Sequence, residues 1–303
     1  MALPPVARPP RPGKARGVRS RPAAEPAPQE ISIETAVDLA YRHWEAGQLQ
    51  MAETIGRQVL AVWPGQVDIL HLLGLMAHTL GQTDVAIDHM RQACAHPEAP
   101  AAYLSNFGEL CRRAGRLEEA ERAARQAVAR DGTASGIWSN LGIILQEAGK
   151  LEESEHCLRR VLELAPDSAE GHNNLGNTLL LLDRAEEAAA LYGEALRINP
   201  LYVDACSNLG RLMGQLGQTD QGLDLLRRAI GIEPRMADAY LNAAELESGR
   251  GNWAAALEWL DALGDFAPDH PKLAGGRAIV LDRLGRGGEA EATSANPGDS
   301  GRR

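Results

Sequence analysis

The sequence repeats itself at an interval of 34 residues, and this period constrains the fold more than any other feature. A period of this length is typical of solenoids, in which each unit buries its apolar face against its neighbours. We therefore expect one repeat array over residues 31–290, whose last unit is cut short and acts as a cap. Registers align without a gap when they begin at residues 33, 67, 101, 135, 169, 203, 237 and 271.

Small residues recur at two places of each unit. The eighth place carries glycine or alanine, and the twentieth carries alanine, serine or glycine. The eighth place shares a helical stripe with apolar residues, so the small residues predict two closely packed helices per unit. Glycine at the fifteenth place, replaced only by Asp183, is expected to end the first helix in the left-handed conformation. Proline at the thirty-second place of five units is expected to end the second helix.

These columns resemble the tetratricopeptide repeat family, whose units are helix–turn–helix pairs of 34 residues. The resemblance covers residues 33 to about 290. It implies an all-α, right-handed superhelical solenoid of about seven and a half units. It also implies that the first helices line the concave groove of the superhelix and that the second helices lie on its convex side.

Two terminal segments lie outside the repeats, at residues 1–30 and 291–303. The first segment has eight prolines, six basic residues and no periodicity, so we expect both segments to be disordered. No stretch resembles a signal peptide or reaches the roughly eighteen apolar residues of a membrane helix. We therefore expect a cytoplasmic protein without a membrane partner. An excess of arginine over lysine, with abundant alanine and glycine, suggests a bacterial source.

An asparagine recurs at the sixth place of five consecutive units. This place lies about 150° from the core stripe of its helix, so we expect the amides to be exposed and to face the concave groove. An amide offers both a donor and an acceptor, as a peptide group does. The pattern thus predicts binding of an extended polypeptide by its backbone. The five residues are Asn106, Asn140, Asn174, Asn208 and Asn242.

This ladder is similar to the groove in the repeat arm of O-linked N-acetylglucosamine transferases. Two other interpretations remain open, because the amides could instead bond a neighbouring helix or keep the groove soluble. The clamp by which other members of the family grip chaperone C-termini is absent. The places that would hold its Lys, Asn and Arg carry residues such as Val37, Tyr41, His71, Leu75, Ser139 and Ile143.

Charge narrows the class of partner. The net charge is −10, and residues 1–30 contribute six basic and two acidic side chains, so the rest of the chain is acidic and a poor match for nucleic acid. The second place of the unit carries Glu34, Asp68, Glu170, Asp204 and Asp238. These carboxylates favour a neutral or basic polypeptide, although each also suits the first turn of a helix. The pattern predicts no particular oligomeric state.

The sequence carries no pattern of catalytic or metal-binding residues. The four cysteines and eight histidines lack the spacing of a zinc site, and no nucleophile motif or phosphate-binding loop is found. We therefore expect a scaffold that is not an enzyme and uses no metal or cofactor. The alternative is the substrate-recruiting arm of a larger or neighbouring enzyme, most plausibly a glycosyltransferase that resembles O-linked N-acetylglucosamine transferases.

Overall fold

The computed structural model describes residues 31–286, and within this range all regular secondary structure is α-helical. The described range divides into two compact units, each of which contains several of the 34-residue repeats. The first unit ends at Ala148, and the second unit begins at Gly149. The prediction of an all-α solenoid built from helix pairs is confirmed. The predictions for residues 1–30, for residues 291–303 and for the end of the array at residue 290 lie outside the described residues.

The first unit holds seven helices. The helices are α1 (Ile33–Glu45), α2 (Leu49–Val62), α3 (Val67–Thr79), α4 (Thr83–Cys94), α5 (Ala101–Arg113), α6 (Leu117–Arg130) and α7 (Ser135–Glu147). The two helices of each of the first three repeats form an antiparallel hairpin: α1 with α2, α3 with α4, and α5 with α6. α5 also packs against α7.

The second unit holds eight helices within the described range. The helices are α8 (Leu151–Leu164), α9 (Ala169–Leu181), α10 (Ala185–Ile198), α11 (Val203–Gln215), α12 (Thr219–Ile232), α13 (Ala237–Gly249), α14 (Trp253–Phe266) and α15 (Leu273–Arg283). The first helices α9, α11 and α13 pack on the second helices of their own repeats, and α11 packs on both α9 and α13. None of the described helices is long and apolar enough to cross a membrane.

A proline follows the end of five second helices, whereas α6 ends at the same place of its repeat with Gly132 in the proline position. α2, α8, α10, α12 and α14 each end two residues before the proline of the thirty-second place. α4 ends at Cys94, two residues earlier in its repeat than the other second helices. Its repeat carries Pro97 one place early, and proline disfavours the helical conformation in the residue before it.

The small columns lie where two helices touch. A Cβ atom on Gly74 would lie 2.6 Å from Met90 Cγ, and one on Gly108 would lie 3.2 Å from the Ala120 carbonyl oxygen. On Gly210 it would lie 2.9 Å from the carbonyl oxygen of Gly222. The eighth and twentieth places are therefore small because the two helices of a repeat meet there almost backbone to backbone.

The fifteenth place adopts the left-handed conformation in every repeat described, with φ between 71° and 80° at its seven glycines. Asp183 takes the same conformation, with φ at 59°. The side chain of Asp183 is exposed. The position in the repeat thus fixes the backbone geometry even where the residue is not glycine.

Asp183→Gly is expected to raise the free energy of unfolding by about 0.5–1 kcal/mol. A left-handed conformation costs a residue with a Cβ about 1–2 kcal/mol, and the greater flexibility of glycine in the unfolded chain offsets part of the gain. Urea denaturation followed by circular dichroism measures the change. The reverse substitution Gly217→Asp, at φ 80°, should lower stability, and a gain from both substitutions would contradict this explanation.

Candidate peptide-binding site

The five predicted asparagines lie at the sixth residue of α5, α7, α9, α11 and α13. Asn106 is exposed, whereas the other four are half-buried, so the expectation of exposure holds for Asn106 alone. Asn106 and Asn140 belong to the first unit, and the other three belong to the second. The expectation of exposure comes from the angular position of each asparagine on its own helix. That angle takes no account of the neighbouring first helix, which covers part of the half-buried amides.

In the first unit, the amide nitrogens of the asparagines reach back to the preceding repeat. Asn140 Nδ2 donates a hydrogen bond to Ser105 Oγ at 2.8 Å. Asn106 Nδ2 lies 3.2 Å from His71 Nε2. Both partners occupy the fifth place of the repeat before, 35 residues earlier in the chain.

The second unit repeats this arrangement. Asn242 Nδ2 donates to Ser207 Oγ at 3.2 Å, and Asn208 Nδ2 donates to Asn173 Oδ1 at 3.0 Å. Asn208 Nδ2 also donates to Asn177 Oδ1 at 3.1 Å. Asn174 differs, because its Nδ2 is buried and makes no hydrogen bond within residues 31–286.

The hydrogen bonds between repeats change what these side chains offer to a ligand. Four of the five amides use a nitrogen donor inside the protein. Each of these four amides keeps a side-chain oxygen, which can accept a hydrogen bond from a ligand. The interpretation that the amides bond a neighbouring helix is left open by the sequence, and these hydrogen bonds support it. The partner residues are not predicted, although the fifth place carries a polar residue in five successive repeats. These residues are His71, Ser105, Ser139, Asn173 and Ser207.

A polar aromatic cluster surrounds His71. The rings of His71 and Tyr103 stack with their centroids 3.6 Å apart and their planes at 5°. Tyr103 Oη donates to Asp68 Oδ1 at 2.7 Å, and Tyr41 Oη donates to the Asp68 carbonyl oxygen at 3.1 Å. Burial lowers the pKa of His71 to about 4, against the opposing charge of Asp68. His71 is therefore neutral at pH 7, and its Nε2 can accept the hydrogen bond from Asn106.

Four of the five carboxylates at the second place are solvent-exposed: Glu34, Glu170, Asp204 and Asp238. Asp68 is half-buried and accepts from Gln66 and Tyr103. The third and fourth repeats have no carboxylate at this place, since Ala102 and Gly136 occupy it. The acidic edge is thus interrupted in the first unit.

A cleft opens in the first unit beside the N-terminal ends of α5 and α7, with a volume of about 780 Å³. It brings together two predicted site residues, Asn106 and Asn140, with Ser105. Its other lining residues are Pro97, Glu98, Ala99, Pro100, Ala101, Ala102, Arg130, Asp131, Ala134, Gly136 and Ile137. Clefts of roughly 300–1000 Å³ are the size that commonly holds small ligands.

Among residues 31–286, no group of three or more His, Cys, Asp and Glu side chains is arranged to hold a metal ion. Burial raises the pKa of the Cys94 and Cys111 thiols to about 12. Both cysteines are therefore protonated and poorly nucleophilic at neutral pH.

Four matches to tetratricopeptide repeat models cover most of the described helices, at residues 37–103, 101–126, 133–200 and 215–280. The chain belongs to the tetratricopeptide repeat family. Its described helices form the helix pairs of that repeat. No curated protein sequence shows significant similarity to it.

Solved tetratricopeptide repeat structures share the fold at low sequence identity. A repeat protein from Parabacteroides merdae is 20% identical, with a TM-score of 0.61 over 77% of this chain and 94% of that one. PilW, a type IV pilus biogenesis factor, is 21% identical, with a TM-score of 0.60 over 64% and 90% of the two chains. A chain of the Cut9–Hcn1 complex is 14% identical, with a TM-score of 0.65 over 82% of this chain and 49% of its own.

Proposed function

We propose that this protein is a non-enzymatic scaffold that binds extended polypeptide through the asparagines of each unit, Asn106 and Asn140 in the first and Asn174, Asn208 and Asn242 in the second. The asparagine carbonyl oxygens accept hydrogen bonds from backbone N–H groups of the ligand. The observation that carries this proposal is the use of Nδ2 within the protein at four of the five positions. A side chain that is already held in place loses less rotational freedom when a ligand binds.

The proposed ligand is neutral or basic and is read mainly through its backbone. Every residue of an extended chain except proline offers an N–H donor, so a row of acceptors tolerates many sequences. The exposed carboxylates at the second place of the repeats, such as Glu34 and Asp204, repel an acidic segment. The same charge disfavours nucleic acid and anionic membrane surfaces as partners.

The same row of asparagines supports a second candidate function, the substrate-recruiting arm of a glycosyltransferase similar to O-linked N-acetylglucosamine transferases. Both candidates require binding of an extended polypeptide. They differ in the presence of a catalytic domain, encoded either in the same gene or in a neighbouring one. Transfer of a sugar to the bound polypeptide by that domain would favour the second candidate.

The proposal is tested with fluorescein-labelled dodecapeptides selected on the full chain from a random library. Asn106→Ala combined with Asn140→Ala should weaken binding about tenfold or more, because each lost hydrogen bond contributes about 0.5–1.5 kcal/mol. Fluorescence anisotropy measures the affinity. Urea denaturation measures stability, which should fall by about 1–2 kcal/mol as the links to His71 and Ser105 are lost.

Ser105→Ala is the matched control, because it removes the acceptor for Asn140 Nδ2 and leaves the carbonyl oxygen of Asn140 in place. It should cost about as much stability as Asn140→Ala, yet change the affinity by less than about threefold. Equal losses of affinity in Ser105→Ala and Asn140→Ala would show that Asn140 only connects neighbouring repeats and does not contact the ligand. A full chain that selects no peptide at all would also contradict the proposal.

A further inference from the structure

Two adjacent repeats differ from most others in the residue type at the second place. Five other repeats carry a carboxylate there, but Ala102 and Gly136 stand in the third and fourth. Both residues are exposed, and both line the cleft of about 780 Å³ in the first unit. The two residues that stand in place of a carboxylate therefore line the same cleft as Asn106 and Asn140.

Neither of these two residues has a side chain long enough to fill the cleft. A Cβ atom on Gly136 would meet nothing within 4 Å. The surrounding wall is apolar at Ala101, Ala134 and Ile137. A carboxylate at either second place would fill part of the space and would bring a negative charge into it.

We propose that this cleft binds a bulky, uncharged apolar side chain of the extended polypeptide, next to the backbone that Asn106 and Asn140 hold. This inference rests on the proposed function and adds a side-chain preference to it. An aromatic or large aliphatic side chain in the cleft would remove its apolar surface from water.

Charges at the rim of the cleft select the neighbouring residue of the ligand. The cleft is lined by two acidic residues, Glu98 and Asp131, and by one basic residue, Arg130. The Arg130 guanidinium donates a hydrogen bond to the Ala99 carbonyl oxygen. Asp131 accepts hydrogen bonds from the side chain and backbone of Thr133, which lower the pKa of its carboxyl group and keep it ionised. The rim is therefore net negative, and the apolar residue of the ligand has a lysine or arginine beside it.

A positional-scanning library tests the preference. Dodecapeptides of random sequence, with one position fixed at a time, are captured on the immobilised full chain and quantified by mass spectrometry. The full chain should enrich Leu, Met, Phe, Tyr or Trp at one fixed position at least fivefold over the average residue. Lys or Arg should be enriched next to that position. A wild-type profile without an apolar preference would overturn the inference.

Ala102→Glu and Gly136→Asp place in the cleft the residue type that five other repeats carry. Both lie in the first turn of a helix, where an acidic side chain is stabilising, so the variants should fold. They should lose the apolar enrichment and gain one for Lys and Arg at the same position. Gly275→Asp makes the same chemical change in the first turn of α15, where a Cβ also meets nothing within 4 Å, and should keep the wild-type profile.

The outcomes separate this inference from the proposed function. If Asn106→Ala with Asn140→Ala weakens capture about tenfold or more but Gly136→Asp leaves the profile unchanged, the backbone site stands and the side-chain cleft is rejected. If the full chain captures no peptide above the level of a blank resin, both are rejected.

Discussion

Gly222→Ala is expected to lower the free energy of unfolding by about 2–3 kcal/mol, the upper part of the range for overpacking. A Cβ atom at this position would lie 2.5 Å from the Gly210 carbonyl oxygen and 3.1 Å from the Gly214 backbone nitrogen. Both atoms belong to the backbone of α11, so they cannot yield as a flexible side chain could. α11 and α12 must separate to admit one methyl group.

Gly231→Ala, on the same helix, is the matched control. A Cβ there would meet nothing within 4 Å, and alanine favours a helix over glycine by about 0.5–1 kcal/mol. Stability should therefore rise in this variant, whereas it falls in Gly222→Ala. Urea denaturation of both variants measures the two changes. Similar changes in both would show that the twentieth place of this repeat is not a helix contact.

Acid is expected to destabilise the first unit through His71, by about 2 kcal/mol between pH 7 and pH 5. The imidazole has an ordinary pKa of 6.5 in the unfolded chain and a pKa of about 4 in the folded protein. The unfolded chain therefore binds the proton first. The contribution of neutral His71 to the free energy of unfolding is fully present above pH 6.5, and it is lost as the pH falls towards 4.

His71→Gln isolates this contribution. Glutamine does not titrate, and its side-chain oxygen can still accept a hydrogen bond from Asn106. Other titrating groups are common to both proteins, so the difference between their unfolding free energies at pH 7 and pH 5 reports on His71. Denaturation curves that shift equally with pH in both proteins would show that His71 is not held neutral in the folded state.

The repeat columns were enough to predict the architecture, because each column reports on a local constraint. The fifteenth place is an example. Its glycines predict a left-handed residue after the first helix, and Asp183 adopts that conformation although it is not glycine. Likewise, the early Pro97 coincides with the early end of α4. Because the repeats share one period, the residues found at a place in most repeats predict the backbone geometry of a different residue at the same place.

The partners of the asparagines could not be predicted by the same means. A helical wheel places Asn140 relative to the core of its own helix. Its contact with Ser105 depends on how far one first helix is offset from the next. That offset is set by the packing of whole repeats, so the polar residues of the fifth place can be paired with the asparagines only once the offset is known. The two departures at Ala102 and Gly136 are visible in the sequence, but the cleft that they open also needs the turn residues around Pro97 and Asp131.

Replacing single backbone amides of a bound peptide with esters tests directly whether the asparagine oxygens accept hydrogen bonds from the backbone of the ligand. An ester removes one N–H donor and keeps every side chain. For a peptide selected on the full chain, we expect one or more ester positions to weaken binding about three- to tenfold, which matches the loss of a single hydrogen bond.

The same ester position should have little further effect in Asn140→Ala, because the acceptor is already gone, and this non-additivity identifies the pair of groups. We expect such a coupled position for Asn140. It is contradicted if every ester peptide binds as tightly as its parent, or if each ester weakens binding to the full chain and to Asn140→Ala by the same factor.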